Sequence, residues 1–289
     1  MNAVMIKSVL QTIQDGAAYL EKRGVENGRL NMELLLAHVL KCKRMQLYLW
    51  FDRPLAEEEL VPLRELTIRR GKREPLQHLI GNVEFCGREF NCDARALIPR
   101  PETEELVERI VAMGKVSGHS PTRILDLGTG SGVIGLSLAF SYPESTVTLA
   151  DISPDALNLA RENAAKLELP TDRINFIPSN LWSGLDGQTF QLVAANLPYI
   201  AAEEIPTLSE EVKRDPILAL DGGPVGTELM VEFIQGLPAH LESGGVVAME
   251  IGPGQGPELC RELELAGLTN AHSVLDYSGR ERFVFAERI

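Results

Sequence analysis

Residues 123–135 read RILDLGTGSGVIG: an apolar run ending at acidic Asp126, then Gly128, Gly130 and Gly132, then a second apolar run. A short, nearly continuous apolar segment bounded by glycines is the pattern of a strand covered on both faces. Glycine lets the chain turn sharply out of such a strand and approach a ligand without interference from a Cβ, so the stretch predicts a strand, a tight turn and a helix. Similar strand patterns recur at 146–150, 173–177, 191–195, 245–251, 271–275 and 282–286, with helical spacing between most of them and a helix over 102–113 before the first. Seven strands alternating with helices predict an α/β fold, a doubly wound Rossmann-like sheet, with the last two strands close enough in sequence to pair antiparallel. Sheets of this kind bind ligands beyond the carboxyl ends of their strands, where the strand order reverses.

The segment before this region differs. From Ile6 to about Ile68 apolar residues recur at helical spacing, with breaks at Gly24, Gly28 and Pro54, which predicts a small helical bundle. Next comes NVEFCGREFNC, in which Val83 and Phe85 alternate with polar residues and Cys86-Gly87 can turn; this predicts a β-hairpin. The expected division is therefore a helical domain over 1–75, a hairpin linker over 76–100 and the α/β domain over 101–289.

Charge separates the same regions. Residues 1–75 hold 13 Lys and Arg against 10 Asp and Glu, the remainder 15 against 31, giving +3 and −16 within a net −13. A large acidic domain repels a phosphate backbone, so direct nucleic-acid binding is not expected. The N-terminal stretch places Lys7, Gln11 and Gln14 among its apolar residues, unlike a signal peptide, and no apolar run reaches spanning length; a cytoplasmic protein without a membrane partner is expected. Cys42, Cys86, Cys92 and Cys260 form no C-x-x-C pair and no histidine stands at ligand spacing from them, so no metal site is predicted. Cys86 and Cys92 can face each other across the hairpin, with reduced thiols expected.

Two cofactors suit the glycine turn. Gly130 to Gly135 satisfies the dinucleotide pattern, and Asp151, at the end of the next strand, can accept hydrogen bonds from both hydroxyls of a ribose. Asp126 favours S-adenosylmethionine, whose ammonium it can bind, over a pyrophosphate, which it would repel.

Four collinear stretches carry a resemblance: 74–110 (EPLQHLIGNVEFCGREFNCDARALIPRPETEELVERI), 124–139 (ILDLGTGSGVIGLSLA), 196–200 (NLPYI) and 219–230 (ALDGGPVGTELM). Together they resemble the release-factor glutamine methyltransferases, the PrmC/HemK family, most specifically at Arg100-Pro101-Glu102-Thr103-Glu104 and Leu220-Asp221-Gly222-Gly223. The resemblance implies an S-adenosylmethionine-dependent enzyme that methylates the side-chain amide of the Gln in the Gly-Gly-Gln motif of class I peptide-chain release factors, with the helical domain helping to recognise that partner. It implies that Gly128, Thr129, Gly130, Ser131 and Gly132 hold the methionine part of the cofactor and Asp151 its ribose. Asn180 and Leu181 would lie near the adenine, Asn196 beside both cofactor and substrate, and Asn196, Leu197, Pro198 and Tyr199 would hold the substrate glutamine, with Arg100, Pro101 and Glu102 also on the substrate side. Two positions depart from the family pattern: 180 is often Asp, and 197 is usually Pro.

The tetrapeptide suits that chemistry. An amide nitrogen is a poor nucleophile, so the chief task is to aim it at an activated methyl group. The side-chain oxygen of Asn196 and the main-chain carbonyl of residue 197 can accept from its two N–H groups and favour the positive charge that builds on nitrogen. A carbonyl of the main chain is available from Leu as from Pro. Pro198 biases Leu197 toward an extended conformation, and the Tyr199 ring can lie against the glutamine and the developing cation. Three other readings compete: an rRNA adenine N6-methyltransferase, whose ring amino group presents the same two donors; an NAD-dependent dehydrogenase, which leaves NLPYI unexplained; and a silent cofactor-binding scaffold.

Overall fold

The structure, a computed structural model, describes residues 7–117 and 120–289. The first six residues, and with them the Ile6 start of the helical pattern, lie outside the described part. Packing divides the chain into two units, one running to Gly81 and including Ser209–Arg214, the other comprising Asn82–Leu208 and Asp215–Ile289.

The first unit contains α1 (Val9–Glu21), α2 (Gly28–Leu40), a 3-10 turn at Arg44–Trp50, α3 (Glu57–Gly71) and α4 (Leu76–Ile80). Ser8 caps α1 by accepting the Gln11 N–H at 3.3 Å. Leu20, Leu35, Leu36, Leu47 and Leu63 form its core. Sequence spacing predicts a boundary at residue 75, but α4 continues the unit because Leu79 is buried in the same core. The 209–214 segment is tied in by Glu211, whose Oε1 accepts from Arg70 Nη2 at 3.0 Å and whose Oε2 accepts from Arg73 Nη2 at 2.6 Å. Arg70 also donates from Nε to Asn31 Oδ1 at 2.8 Å.

The second unit opens with the hairpin β1 (Asn82–Phe85) and β2 (Arg88–Asn91), turned by Cys86 and Gly87 at φ 48° and 71°. Two successive positive φ values are those of the turn whose twist matches a hairpin. Phe85 and Phe90 bury against the sheet unit's core. Cys86 occupies the turn and Cys92 follows the opposite end of β2, so the two do not face each other; burial pushes their thiols up to about 11 and about 12.

The remaining elements are α5 (Pro101–Ser117), β3 (Arg123–Leu127), α6 (Val133–Ser141), β4 (Thr146–Asp151), α7 (Pro154–Lys166), β5 (Ile174–Pro178), β6 (Phe190–Ala195), α8 (Glu228–His240), β7 (Leu241–Glu250), α9 (Gly256–Leu265), β8 (Thr269–Leu275) and β9 (Glu281–Glu287). The seven-stranded sheet has the order β5-β4-β3-β6-β7-β9-β8, parallel except for β9, which pairs antiparallel with both neighbours. Successive residues feed opposite faces: Ile124 and Leu192 one core layer, Leu125 and Val193 the other. β7 starts four residues before the predicted strand because Leu241 already pairs with Phe190, and the residues between there and Val246 bulge before regular pairing with Leu192 resumes. The chain order reverses between β3 and β6, which places the crevice beyond Leu127 and Ala195.

Candidate active site

The carboxyl ends of β3, β4 and β6 meet at a cleft of ≈ 1060 Å³, its mouth included. Gly128, Thr129, Gly130 and Ser131 line it from the turn after β3, Asp151 from the end of β4, Asn180 and Leu181 from the turn after β5, and Asn196, Leu197 and Pro198 from the turn after β6.

Gly128, with φ 73°, is where the turn admits nothing larger. A Cβ there would stand 2.8 Å from Leu197 Cδ2. Leu197 itself is 4% exposed and belongs to the core layer under the cleft. The residue that departs from the family pattern is thus packed through its side chain onto the glycine turn. Asp151 joins that turn to β4: its Oδ2 accepts from Gly130 N and its Oδ1 from Ser153 N, both at 2.8 Å. Each carboxylate oxygen has a second lone pair, so both can also accept from a vicinal diol. Burial raises its pKa, opposed by these backbone donors.

Asp126 does not line the cleft. It is fully buried, with Oδ2 accepting from Thr129 Oγ1 at 2.6 Å and from Gly135 N at 2.8 Å, so it organises the turn and the start of α6 from below. Its Oδ1 has no hydrogen-bond partner among the described residues, and burial raises its carboxyl to about 6. Gly132 caps α6 at φ 86° and also lies off the cleft wall.

Next to Asn196 the wall contains Thr103, which its sequence position inside the signature did not single out. Asn196 Nδ2 donates to Thr103 Oγ1 at 3.2 Å, and Thr103 Oγ1 donates to Glu250 Oε2 at 2.7 Å. Of the predicted substrate-side residues, Arg100 lines the cleft and pairs with buried Asp215 at 2.7 Å. Pro101 and Glu102 form the first turn of α5 and do not line it. Tyr199 also falls outside the wall: its half-buried ring packs on the core layer, its carbonyl accepts from Gln255 Nε2 at 3.0 Å, and burial pushes its phenol up to about 12.

The Leu220-to-Gly223 signature supports the tetrapeptide from behind. Ile200 N donates to the Leu220 carbonyl at 3.1 Å and Gly222 N to the Ile200 carbonyl at 2.9 Å. A Cβ on Gly222 would meet the Pro198 carbonyl oxygen at 2.7 Å, so this close backbone approach requires glycine. Pro216, Leu218 and Ala219, just upstream, complete the wall.

A family model described as the PrmC N-terminal domain matches residues 11–81, and one described as the methyltransferase small domain matches residues 104–214. The release factor glutamine methyltransferase of Rhodopirellula baltica is 35% identical over 97% of this chain and 96% of its own length. Its namesake in Deinococcus radiodurans is 38% identical over 96% and 97%. Among solved structures, a methyltransferase from Pyrococcus furiosus matches with a TM-score of 0.51 at 18% identity, over 71% of this chain and 91% of that one. The 16S rRNA N2 G1207 methyltransferase of T. thermophilus, solved with AdoMet and guanosine, gives 0.51 at 17% over 72% and 50%. At these identities the two show the fold alone, and the rRNA adenine alternative has no support among the full-length relatives. With near-complete coverage at this level of identity, the chain belongs to the release factor glutamine methyltransferases.

Proposed function

We propose that this protein transfers a methyl group from S-adenosylmethionine to the side-chain amide nitrogen of the Gln in the Gly-Gly-Gln motif of class I release factors, with Asn196 and the Leu197 carbonyl holding that amide. The observation that carries the reading is that Asn196, Leu197 and Pro198 share one cleft wall with the glycine turn and Asp151. The residues present suit the cofactor: Asp151 offers acceptors to a ribose diol, and a cleft with Asp151 on its wall and Asp126 beneath favours a cationic ligand over a pyrophosphate. Bound S-adenosylmethionine supplies a methyl group on a cationic sulfur.

The protein's own part is orientation. Asn196 has committed its NH2 group to Thr103, which leaves Oδ1 as its acceptor for a substrate N–H. The Leu197 carbonyl is a second acceptor on the same wall, and two acceptors fix a planar NH2 group in both position and rotation. Both also stabilise positive charge developing on nitrogen. After transfer the alkylated nitrogen is acidic enough to lose its proton to water, so no general base is needed. The helical unit, over the span matched by the N-terminal family model, is read as the part that engages the protein partner.

Release factor incubated with enzyme and methyl-labelled cofactor should gain one methyl on the tripeptide glutamine by mass spectrometry, while deproteinised rRNA gains none. Asn196→Ala should lower turnover about 100-fold or more, as loss of one oriented hydrogen-bonding group does elsewhere, with cofactor affinity nearly unchanged. Normal turnover in that variant would refute the assignment of Asn196.

A further inference from the structure

Thr103 and Glu250 are 3% and 1% exposed, lie 147 positions apart in the chain, and meet behind Asn196. A carboxylate only accepts hydrogen bonds, and a threonine hydroxyl has one proton to give. Since that proton points to Glu250, the hydroxyl oxygen meets Asn196 as an acceptor, and only the NH2 end of the Asn196 amide satisfies it. We propose that Glu250, acting through Thr103, fixes which end of the Asn196 amide faces the substrate. This inference rests on the reading of Asn196 as the residue that holds the glutamine, and it makes Glu250 and Thr103 positioning residues.

The polarity of the chain depends on the charge of Glu250. A protonated Glu250 can donate to the hydroxyl, which then turns its proton toward Asn196 and binds Oδ1 instead. The amide flips, and its NH2 group meets the substrate's NH2 group, donor against donor. Thr103 and Glu102 of α5, Tyr199 after β6 and Arg282 of β9 all act on Glu250. Burial raises its carboxyl to about 7, with Glu102 adding to the rise and Thr103, Arg282 and Tyr199 opposing it. The productive orientation is therefore lost as pH falls through neutrality.

The test uses the full-length protein, release factor and S-adenosylmethionine, with kcat and KM followed from about pH 5 to 9 and cofactor binding measured separately. Thr103→Val should lower kcat about tenfold or more with cofactor affinity unchanged, and Thr103→Ser should recover most of the loss. Glu250→Gln retains an acceptor oxygen and cannot ionise, so the acidic limb of the kcat profile should disappear. Thr103→Val should cost little further in the residual rate of Asn196→Ala, because both act through one side chain. Wild-type kcat in Thr103→Val, an undiminished Thr103→Val loss in the Asn196→Ala background, or an acidic limb that survives in Glu250→Gln would overturn the inference while leaving Asn196 in place. Normal turnover of Asn196→Ala would instead remove the reading beneath it.

Discussion

Gly128→Ala isolates the contact that joins the cofactor turn to the tetrapeptide. Two costs add. An alanine held at φ 73° bears roughly 1–2 kcal/mol of left-handed strain. Its Cβ also meets Leu197 Cδ2 at 2.8 Å, and Leu197, 4% exposed, has little room to retreat, so overpacking adds about 1–3 kcal/mol. The sum, about 2–5 kcal/mol, corresponds to a fall in Tm of roughly 10 °C for a unit of this size. Because residue 128 is on the cleft wall, cofactor affinity should weaken as well. Thermal unfolding of Gly128→Ala, Leu197→Ala and the double variant separates the two costs. Leu197→Ala removes the colliding methyl and leaves the backbone strain, so the double variant should be more stable than additivity predicts by about 1–3 kcal/mol. Strict additivity would refute the packing argument, and an unchanged Tm in the single variant would refute both parts.

Asp151→Asn sets an NH2 group against one of the two backbone N–H donors that the carboxylate now accepts, so it should cost about 1–3 kcal/mol of stability. It should also weaken cofactor binding at least about tenfold, read by calorimetry; wild-type affinity would exclude Asp151 from the ribose contact. Stability should peak on the acid side of neutrality. Burial raises Asp126 and Asp215 to about 6, Glu250 to about 7, and Asp151 upward, so their contribution is full below the unfolded value near pH 4 and lost as pH climbs through 6 to 7. Glu74 is held down by Arg69, and in Glu33 and Glu211 guanidinium hydrogen bonds outweigh burial; their contribution disappears as pH falls below the ordinary carboxylate range. Thermal melts at about pH 4, 5.5 and 8 check this, and stability still rising at the alkaline end would contradict it.

What the sequence conveyed was mostly local. The glycine turn, the apolar strands and the antiparallel final pair are written in neighbouring residues, and the cleft forms where strand order and strand ends place it. Contacts that depend on distant pairing were not legible. Thr103 and Glu250 carry no mark of meeting, and Leu197 reads as a departure from a motif although its side chain fills the space over Gly128. Asp126 reads in the sequence as an acidic residue facing a ligand, and nothing there shows that its Oδ2 also fastens the N–H of Gly135 and the hydroxyl of Thr129. Pro101 and Glu102 belong to the most specific signature, but the helix they begin directs Thr103, and not them, to the cleft wall.

Ser209–Arg214 packs with the helices while the residues on either side of it belong to the sheet unit. The polypeptide consequently passes from one unit to the other three times, and the two cannot be parted by a single cut. Excising residues 1–81 would take away both guanidinium groups that grip Glu211 and leave Ser209–Arg214 stripped of the helices it packs among, so the helical unit is a composite of two stretches of chain more than 120 residues apart.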